Sequence, residues 1–204
     1  MYETEQENFW AGQFGNDYID RNQGPALLAA KTGNFAKILS LTRGVASVIE
    51  MGCNIGLNLK AIQKLLPNAA LYGVEINETA ADTARKIKGA TIFCDSFTEY
   101  AAPINADLSF TAGVLIHIAP EKLEKAYKAL YDYSSKYILI YEYYNPVPVH
   151  VTYRGHENKL YKRDFAGEMM ELYPDLELLN YGFVYRRDPN YPDDDLNWFL
   201  MVKK

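Results

Sequence analysis

The segment Glu50-Met-Gly-Cys-Asn-Ile-Gly56 holds the residue types that let a backbone turn tightly against a ligand. Gly52 and Gly56 bracket Cys53 and Asn54; the apolar run Val45 to Ile49 precedes them, and Leu57, Ala61, Ile62 and Leu65 follow at helical spacing. A strand, a glycine turn and a helix N-terminus in that order present unpaired N–H groups to whatever binds there. Glu75 and Ile76 close a second apolar run, nineteen residues after Gly56, and a carboxylate at that point can accept both hydroxyls of a ribose. After a third run comes Cys94-Asp95-Ser96, where Asp95 can accept an adenine amino group. Strand, turn, helix, strand and acid are shared by nicotinamide, flavin and S-adenosylmethionine sites.

Three details favour S-adenosylmethionine. Glu50 opens the turn, and a carboxylate there repels a pyrophosphate but suits a positively charged methionine group. Asp95 supplies the second acid, and the C-terminal pair of strands described below is foreign to a plain dinucleotide fold. Further along, Gly113-Val-Leu-Ile-His117 and Glu142-Tyr-Tyr-Asn145 follow two more apolar runs. In an open parallel sheet a ligand lies at the carboxyl ends of the strands, so these segments flank the place where a reactive group must point. Gly113 joins the cofactor side by position. His117 is the first candidate general base, with Glu142 and His156 next, and Tyr144 can donate a hydrogen bond or line an acceptor pocket. Asn145, Tyr153 and Arg154 complete that set. Arg154 stands in the locally basic stretch Tyr153-Arg-Gly-His-Glu-Asn-Lys-Leu-Tyr-Lys-Arg163, where a guanidinium can hold a carboxylate or phosphate in bidentate fashion. Asp193-Asp-Asp195 reads as a turn and solubility feature, since three consecutive acids cannot all face one metal ion, and no metal site is expected.

Alternating elements must position these residues. Residues 1–42 read as a helical extension, with Phe9, Trp10 and Phe14 apolar in an acidic setting. Residues 43–204 then read as strands at 45–49, 69–74, 91–93, 106–111 and 137–141, with helices at 57–66, 78–87 and 121–133 between them. Asn77 is placed to cap the second of these helices. Near-continuous apolar strands alternating with helices mean a parallel sheet covered on both faces. A polar loop is expected over 144–161, then a helix to about 173, and then 177–185 and 196–202 as an antiparallel C-terminal hairpin. The expectation is one α/β domain, Rossmann-like, with a seven-stranded mostly parallel sheet.

On these residues the chain resembles the class I S-adenosylmethionine-dependent methyltransferases over roughly residues 40 to 204. The resemblance implies that Gly52, Asn54 and Gly56 form the glycine motif, Asn54 standing where glycine is frequent, that Glu75 holds the ribose and that Asp95 meets the adenine. A second set of motifs, Phe9-Trp10, Phe14-Gly-Asn-Asp-Tyr18-Ile-Asp-Arg21-Asn22, Gly113-Val-Leu-Ile-His117-Ile, Glu142-Tyr-Tyr-Asn-Pro146 and Tyr153-Arg-Gly-His156, is similar to the methylase family associated with pseudaminic acid biosynthesis. It implies methyl transfer to a small, anionic, sugar-like acceptor. In comparable methyltransferases an N-terminal extension folds over the cofactor, which would bring Trp10 and Arg21 to the cofactor and Tyr18 to the acceptor. Two other readings stand beside this one: the same cofactor with another metabolite, an amine or a protein as acceptor, and a nicotinamide or nucleotide-sugar enzyme on a related fold, against which Glu50 argues.

Composition bounds the partners. A chain of 204 residues with net charge −5 lacks the basic footprint of a general nucleic-acid binder. Cys53 and Cys94 form no CxxC pair, and no run approaches the ~20 apolar residues of a membrane span. The acidic start MYETEQENFW is unlike a signal peptide, so the expected location is the cytoplasm. Thirteen of the 17 tyrosines follow residue 120. Those at 127 to 141 fit a covering helix and a buried strand, whereas Tyr143, Tyr144, Tyr153 and Tyr161 crowd the expected acceptor loops.

Overall fold

A computed structural model describes residues 2–19, 23–100, 103–153 and 155–204, the side chains of 153 and 156–159 excepted. Five parallel strands come first: β1 (Ser47–Met51), β2 (Ala70–Glu75), β3 (Ala90–Cys94), β4 (Ala106–Ala112) and β5 (Ser134–Glu142). Two strands of a separate antiparallel ribbon follow, β6 (Val149–Tyr153) and β7 (His156–Lys162). The C-terminal hairpin is β8 (Leu176–Val184) and β9 (Leu196–Lys203). The main sheet has the order β3-β2-β1-β4-β5-β9-β8, so β9 lies antiparallel between β5 and β8. Chain order reverses around β1, flanked by β2 and β4, and this switch point opens a crevice at the carboxyl ends of the strands.

Two apolar layers cover the sheet. Helices α3 (Pro25–Leu39), α4 (Leu57–Leu65) and α5 (Glu78–Ala84) close one face through Phe35, Ile38, Leu59, Ile62 and Ala81. Helices α6 (Leu123–Asp132) and α7 (Phe165–Leu172) close the other through Tyr127, Leu130, Phe165 and Met169. Burial on both faces explains why Tyr137 to Tyr141 are all inaccessible and why the strand shows no polar alternation. Phe35 is fully buried, so α3 belongs to the core, and full burial of such a side chain contributes roughly 1.5–3 kcal/mol. Helices α1 (Glu5–Ala11) and α2 (Gln13–Ile19) line the crevice through residues such as Trp10 and Tyr18.

Local chemistry fixes several boundaries. Asn77 caps α5, its Oδ1 accepting from the Ala80 N–H at 2.9 Å, while its Nδ2 donates to the Trp10 carbonyl at 3.2 Å and to Asn16 Oδ1 at 2.9 Å. One cap therefore also ties α1 and α2 to the sheet. The helix expected over 121–133 starts as a 3-10 turn at Pro120–Lys122 before α6. The polar loop expected over 144–161 is corrected: β6 and β7 occupy most of it. Leu160 and Tyr161 are buried, and His150 meets the Tyr161 ring edge-on at 4.9 Å. Val149, Val151 and Tyr153 alternate with polar residues along β6, whereas β7 is mostly polar and packs against the turn at Leu115–His117.

Candidate active site

A cavity of about 210 Å³ occupies the crevice. Its floor is the glycine turn. The Gly52 and Cys53 N–H groups donate to the Val74 carbonyl at 2.8 and 3.0 Å, laying the turn along the end of β2. Gly56 has φ +72°, and a Cβ there would lie 2.4 Å from Ile87 Cδ1, so neither backbone nor space admits a side chain. Asn54 also takes a left-handed conformation, φ +48°, and its Oδ1 accepts the Ile55 N–H at 2.7 Å. Asparagine is the residue type besides glycine that visits this region routinely, so its presence leaves the turn intact.

Glu75 is 8% exposed and faces the cavity. Its Oε2 accepts the Asn54 N–H at 2.7 Å and its Oε1 the Asn77 N–H at 2.8 Å. The carboxylate is thereby aimed, and its spare lone pairs are left for a ligand. Burial pushes its pKa up, with the Asn77 and Asn54 N–H groups opposing. Ile76, Cys53, Asp95 and Ser96 also line the wall. Burial raises the Cys53 thiol well above its ordinary range, so it packs as a neutral group. Asp95 Oδ1 accepts the Ser96 N–H at 2.8 Å, and Ser96 Oγ donates to Glu7 Oε1 of α1 at 2.5 Å.

At the other end of the turn, Glu50 is 1% exposed. Asn58 Nδ2 donates to its Oε1 at 2.6 Å, while Glu50 Oε2 and Asn58 Oδ1 are buried acceptors with no partner among the described residues. Burial lifts the Glu50 carboxyl to about 8, against the Asn58 hydrogen bond and the Lys31 charge. Lys31 of α3 lines the same end, its Nζ 3.2 Å from Asp193 Oδ2. Asp193 is thus corrected from a solubility feature to a nearly buried partner on the cavity wall, its side chain only 6% exposed. Unpartnered buried acceptors in a cavity call for a donor. A methionine ammonium satisfies Glu50 and Asn58, and Lys31 is the donor at hand for its carboxylate, so the residues present fit the methionine end of S-adenosylmethionine.

The remaining wall comes from α1, α2 and the loop after β4. Trp10, Tyr18, Gly113, Val114, Ile116 and His117 line it. The Trp10 ring lies 4.6 Å from that of His117 and meets Tyr18 edge-on at 5.2 Å, and Trp10 Nε1 is a buried donor with no partner among the described residues. Glu142 does not reach the cavity. Its Oε1 accepts the Val114 and Leu115 N–H groups at 2.9 and 3.0 Å, pinning the turn that carries His117. Burial raises its carboxyl to about 7, with those N–H groups opposing. The expected catalytic role of Glu142 is therefore corrected to a positioning one, because the last residue of β5 points under the loop rather than past it.

Tyr144 is also off the cavity: it is 39% exposed and packs 5.6 Å from Phe199, while Tyr143 takes its place on the wall. Side chains alternate at the strand end, so a reading one residue out in phase selects the wrong tyrosine. Asn145 Nδ2 donates to the Val147 carbonyl at 2.6 Å, away from the site. Arg21 and Arg154 lie outside the described residues, as do the side chains of Tyr153 and His156. Glu7, Lys31 and Asn58 line the cavity without a reading from the sequence, and they are joined there by Tyr143, one of the tyrosines expected in the acceptor loops, and by Asp193, expected in a turn. Of these, Asn58, the second residue of α4, lies next to the glycine turn in sequence. Among the described residues no cluster of His, Cys, Asp or Glu is arranged to hold a metal ion, and no helix is long and apolar enough to cross a membrane.

This sheet order, with a glycine turn and a ribose-type acid at its switch point, defines a Rossmann-like fold of the methyltransferase kind. No protein-family model matches the chain, and no curated protein does. Solved structures do. The chain is 11% identical to magnesium protoporphyrin IX methyltransferase (ChlM) from Synechocystis PCC 6803 with bound SAM, at TM-score 0.70 over 100% of both chains. It is 16% identical to the plantazolicin methyltransferase BpumL in complex with a pentazolic desmethylPZN analog and SAH, at TM-score 0.66 over 97% of this chain and 94% of that one. The mitomycin 7-O-methyltransferase MmcR matches at 12% identity and TM-score 0.68, over 98% of this chain and 61% of that one. At such identities the likeness establishes the fold.

Proposed function

We propose that this chain is an S-adenosylmethionine-dependent methyltransferase acting on a small acceptor that meets the cavity beside Trp10 and His117. The observation that carries the reading is a pair of buried acceptors, Glu50 Oε2 and Asn58 Oδ1, which have no partner among the described residues and lie across the glycine turn from the carboxylate of Glu75. A pyrophosphate cofactor would meet a carboxylate at that turn, whereas a sulfonium amino acid meets its counter-charge. When bound, the sulfonium group supplies an activated methyl for in-line displacement by the acceptor.

The residues of the chain then bind, orient and exclude water. Glu50 and Asn58 accept from the ammonium, Lys31 donates to the carboxylate, Glu75 accepts from the ribose hydroxyls and Asp95 from the adenine amino group. Alignment of this sort supplies much of the rate in a displacement at carbon. His117, 7% exposed on the cavity wall, takes the proton at a ring nitrogen when the acceptor is a hydroxyl, an effect worth roughly 10²–10⁴ where it operates. Trp10 and Tyr18 cover the reacting groups.

The acceptor implied by the sequence motifs is a small, sugar-like anion. Lys162 is in keeping with an anion, because its Nζ stands 4.6 Å from the ring centre of Tyr143, a wall residue, and so places a cation against the wall of the cavity. The test is mass spectrometry of the chain with S-adenosylmethionine and a panel of sugar acids, neutral sugars, amines and peptides. A +14 product among the sugar acids, with S-adenosylhomocysteine formed in step, is the expected result. A product only among amines or peptides transfers the reading to that acceptor class, and no product with no S-adenosylhomocysteine binding overturns it.

A further inference from the structure

β8 is the outermost strand of the main sheet, and its outer N–H and C=O groups face no neighbouring strand. Native edges of this kind are blunted by charged residues, by proline or by a covering element. From Leu178 to Tyr185 the sequence is Leu-Leu-Asn-Tyr-Gly-Phe-Val-Tyr, eight residues with no charge and no proline. Tyr181 is 66% exposed and Phe183 55%, and Leu178, Leu179 and Tyr185 are exposed as well. The aromatic rings form two neighbouring groups. Tyr181 stacks on Phe199, Phe199 meets Tyr144, and Phe183 lies 6.1 Å from Tyr185. At Gly182 the Trp198 ring lies where a side chain would be, 2.5 Å from a Cβ built there. The opposite face, with Tyr181 and Phe183, is left open.

Charge lies only at the two ends of this strand. Glu177 stands at the start, and Arg186 and Arg187 stand just past the end. A two-fold axis that sets two copies of β8 antiparallel brings the acidic start of each onto the basic end of the other, whereas a parallel arrangement sets like charge on like. Glu177 and Arg186 have partners within the chain, Lys204 at 3.0 Å and Asp195 at 3.4 Å. Those pairs are exposed and hold the side chains weakly, leaving them available to a facing strand. An uncharged, apolar edge with complementary charges at its ends is self-complementary under two-fold symmetry, as a closed homodimer interface must be.

We propose that the chain forms a two-fold dimer through antiparallel pairing of β8 with β8 of a second copy, with Tyr181 and Phe183 packing across the axis. The main sheet then runs continuously through both copies. Neither catalytic nor cavity residues take part, so the proposal stands apart from the methyl-transfer reading.

Light scattering on a size-exclusion column tests it. The expected mass is twice 23.2 kDa at tens of micromolar chain. The double variant Tyr181→Lys/Phe183→Lys replaces two exposed side chains and is expected to run at the monomer mass, with dimerisation weakened more than ~100-fold and the far-ultraviolet circular dichroism unchanged. Two charge variants give the specific signature. Glu177→Arg alone, and Arg186→Glu/Arg187→Glu alone, each set like charges together and are expected to weaken association by about threefold to tenfold. Mixed, the two are complementary, and the mixture is expected to recover the dimer mass. A monomeric wild type, a dimer untouched by the double lysine variant, or charge variants that pair no better mixed than alone would each overturn the proposal.

Discussion

Glu50 gives the sharpest handle on the site. In the ligand-free fold its carboxyl rises from the ordinary 4.5 to about 8 because it is buried beside a single donor, Asn58. Between pH 4.5 and 8 the folded chain keeps a proton that the unfolded chain has lost, so this group's contribution to stability falls as pH rises. Linkage puts the cost of charging Glu50 in the empty site on the order of 5 kcal/mol. An ammonium arriving at Oε2 needs the carboxylate, so binding releases the proton. Affinity then falls about fivefold from pH 8 to pH 7 and about tenfold per unit below that, or about 50-fold between pH 8 and pH 6. The α-ammonium of the free ligand, beside its own ionised carboxylate, titrates above the roughly 7.7–8.0 of a peptide α-amino group, so the ligand stays charged between pH 6 and 8 and the affinity maximum lies above pH 8. Glu50→Gln keeps the volume and the Asn58 contact but removes the charge. It is expected to raise the melting temperature of the ligand-free protein at pH 8, to weaken S-adenosylhomocysteine binding there by ~100-fold, consistent with a lost charge-assisted pair, and to abolish the dependence between pH 6 and 8. Calorimetry at pH 6, 7 and 8, in two buffers of different ionisation enthalpy, reads affinity and proton release together. Equal wild-type affinity across that range, or wild-type binding by Glu50→Gln, would refute the reasoning.

Other substitutions follow from the same geometry. Glu142→Ala leaves the Val114 and Leu115 N–H groups buried without an acceptor and is expected to cost about 2–3 kcal/mol in chemical denaturation, with Glu142→Gln retaining most of the stability because its amide oxygen still accepts. Lys31→Met strands the nearly buried Asp193; it is expected to destabilise the fold and to weaken S-adenosylhomocysteine by about tenfold, and Asp193→Asn in the same chain should recover stability but not affinity. Tyr143→Ala is expected to lower kcat/KM for the acceptor by about tenfold or more with cofactor affinity nearly unchanged, whereas Tyr144→Phe, off the cavity, should leave both alone.

The parts legible in the sequence are those whose chemistry is local. Gly52 and Gly56 are required by the turn itself, Asn77 caps the helix it precedes, and Glu75 sits at a fixed spacing from the turn because one helix and one strand separate them. The unbroken apolar run of β5 announced burial on both faces. What was not legible arises from approach in space. Lys31 and Asp193 are 162 residues apart, and Glu7 meets Ser96 across 89. In the ribbon, Val149, Val151 and Tyr153 alternate along β6, but that run is only five residues long and its partner β7 is mostly polar, which is why the segment reads as a polar loop. Glu142 and Tyr144 fail differently, since the strand was found and the phase at its end was not. The tyrosine excess after residue 120 also divides: Tyr143 reaches the cavity, while Tyr181 and Tyr185 decorate an open edge.

The central claim, that the crevice at the switch point is built for S-adenosylmethionine, is tested most directly by a crystal structure of the chain with S-adenosylhomocysteine. The account predicts the amino nitrogen within hydrogen-bond reach of Glu50 Oε2 and Asn58 Oδ1, and the ribose hydroxyls on Glu75. Density outside this crevice, or a crevice that takes up a nicotinamide dinucleotide and not S-adenosylhomocysteine, would contradict it.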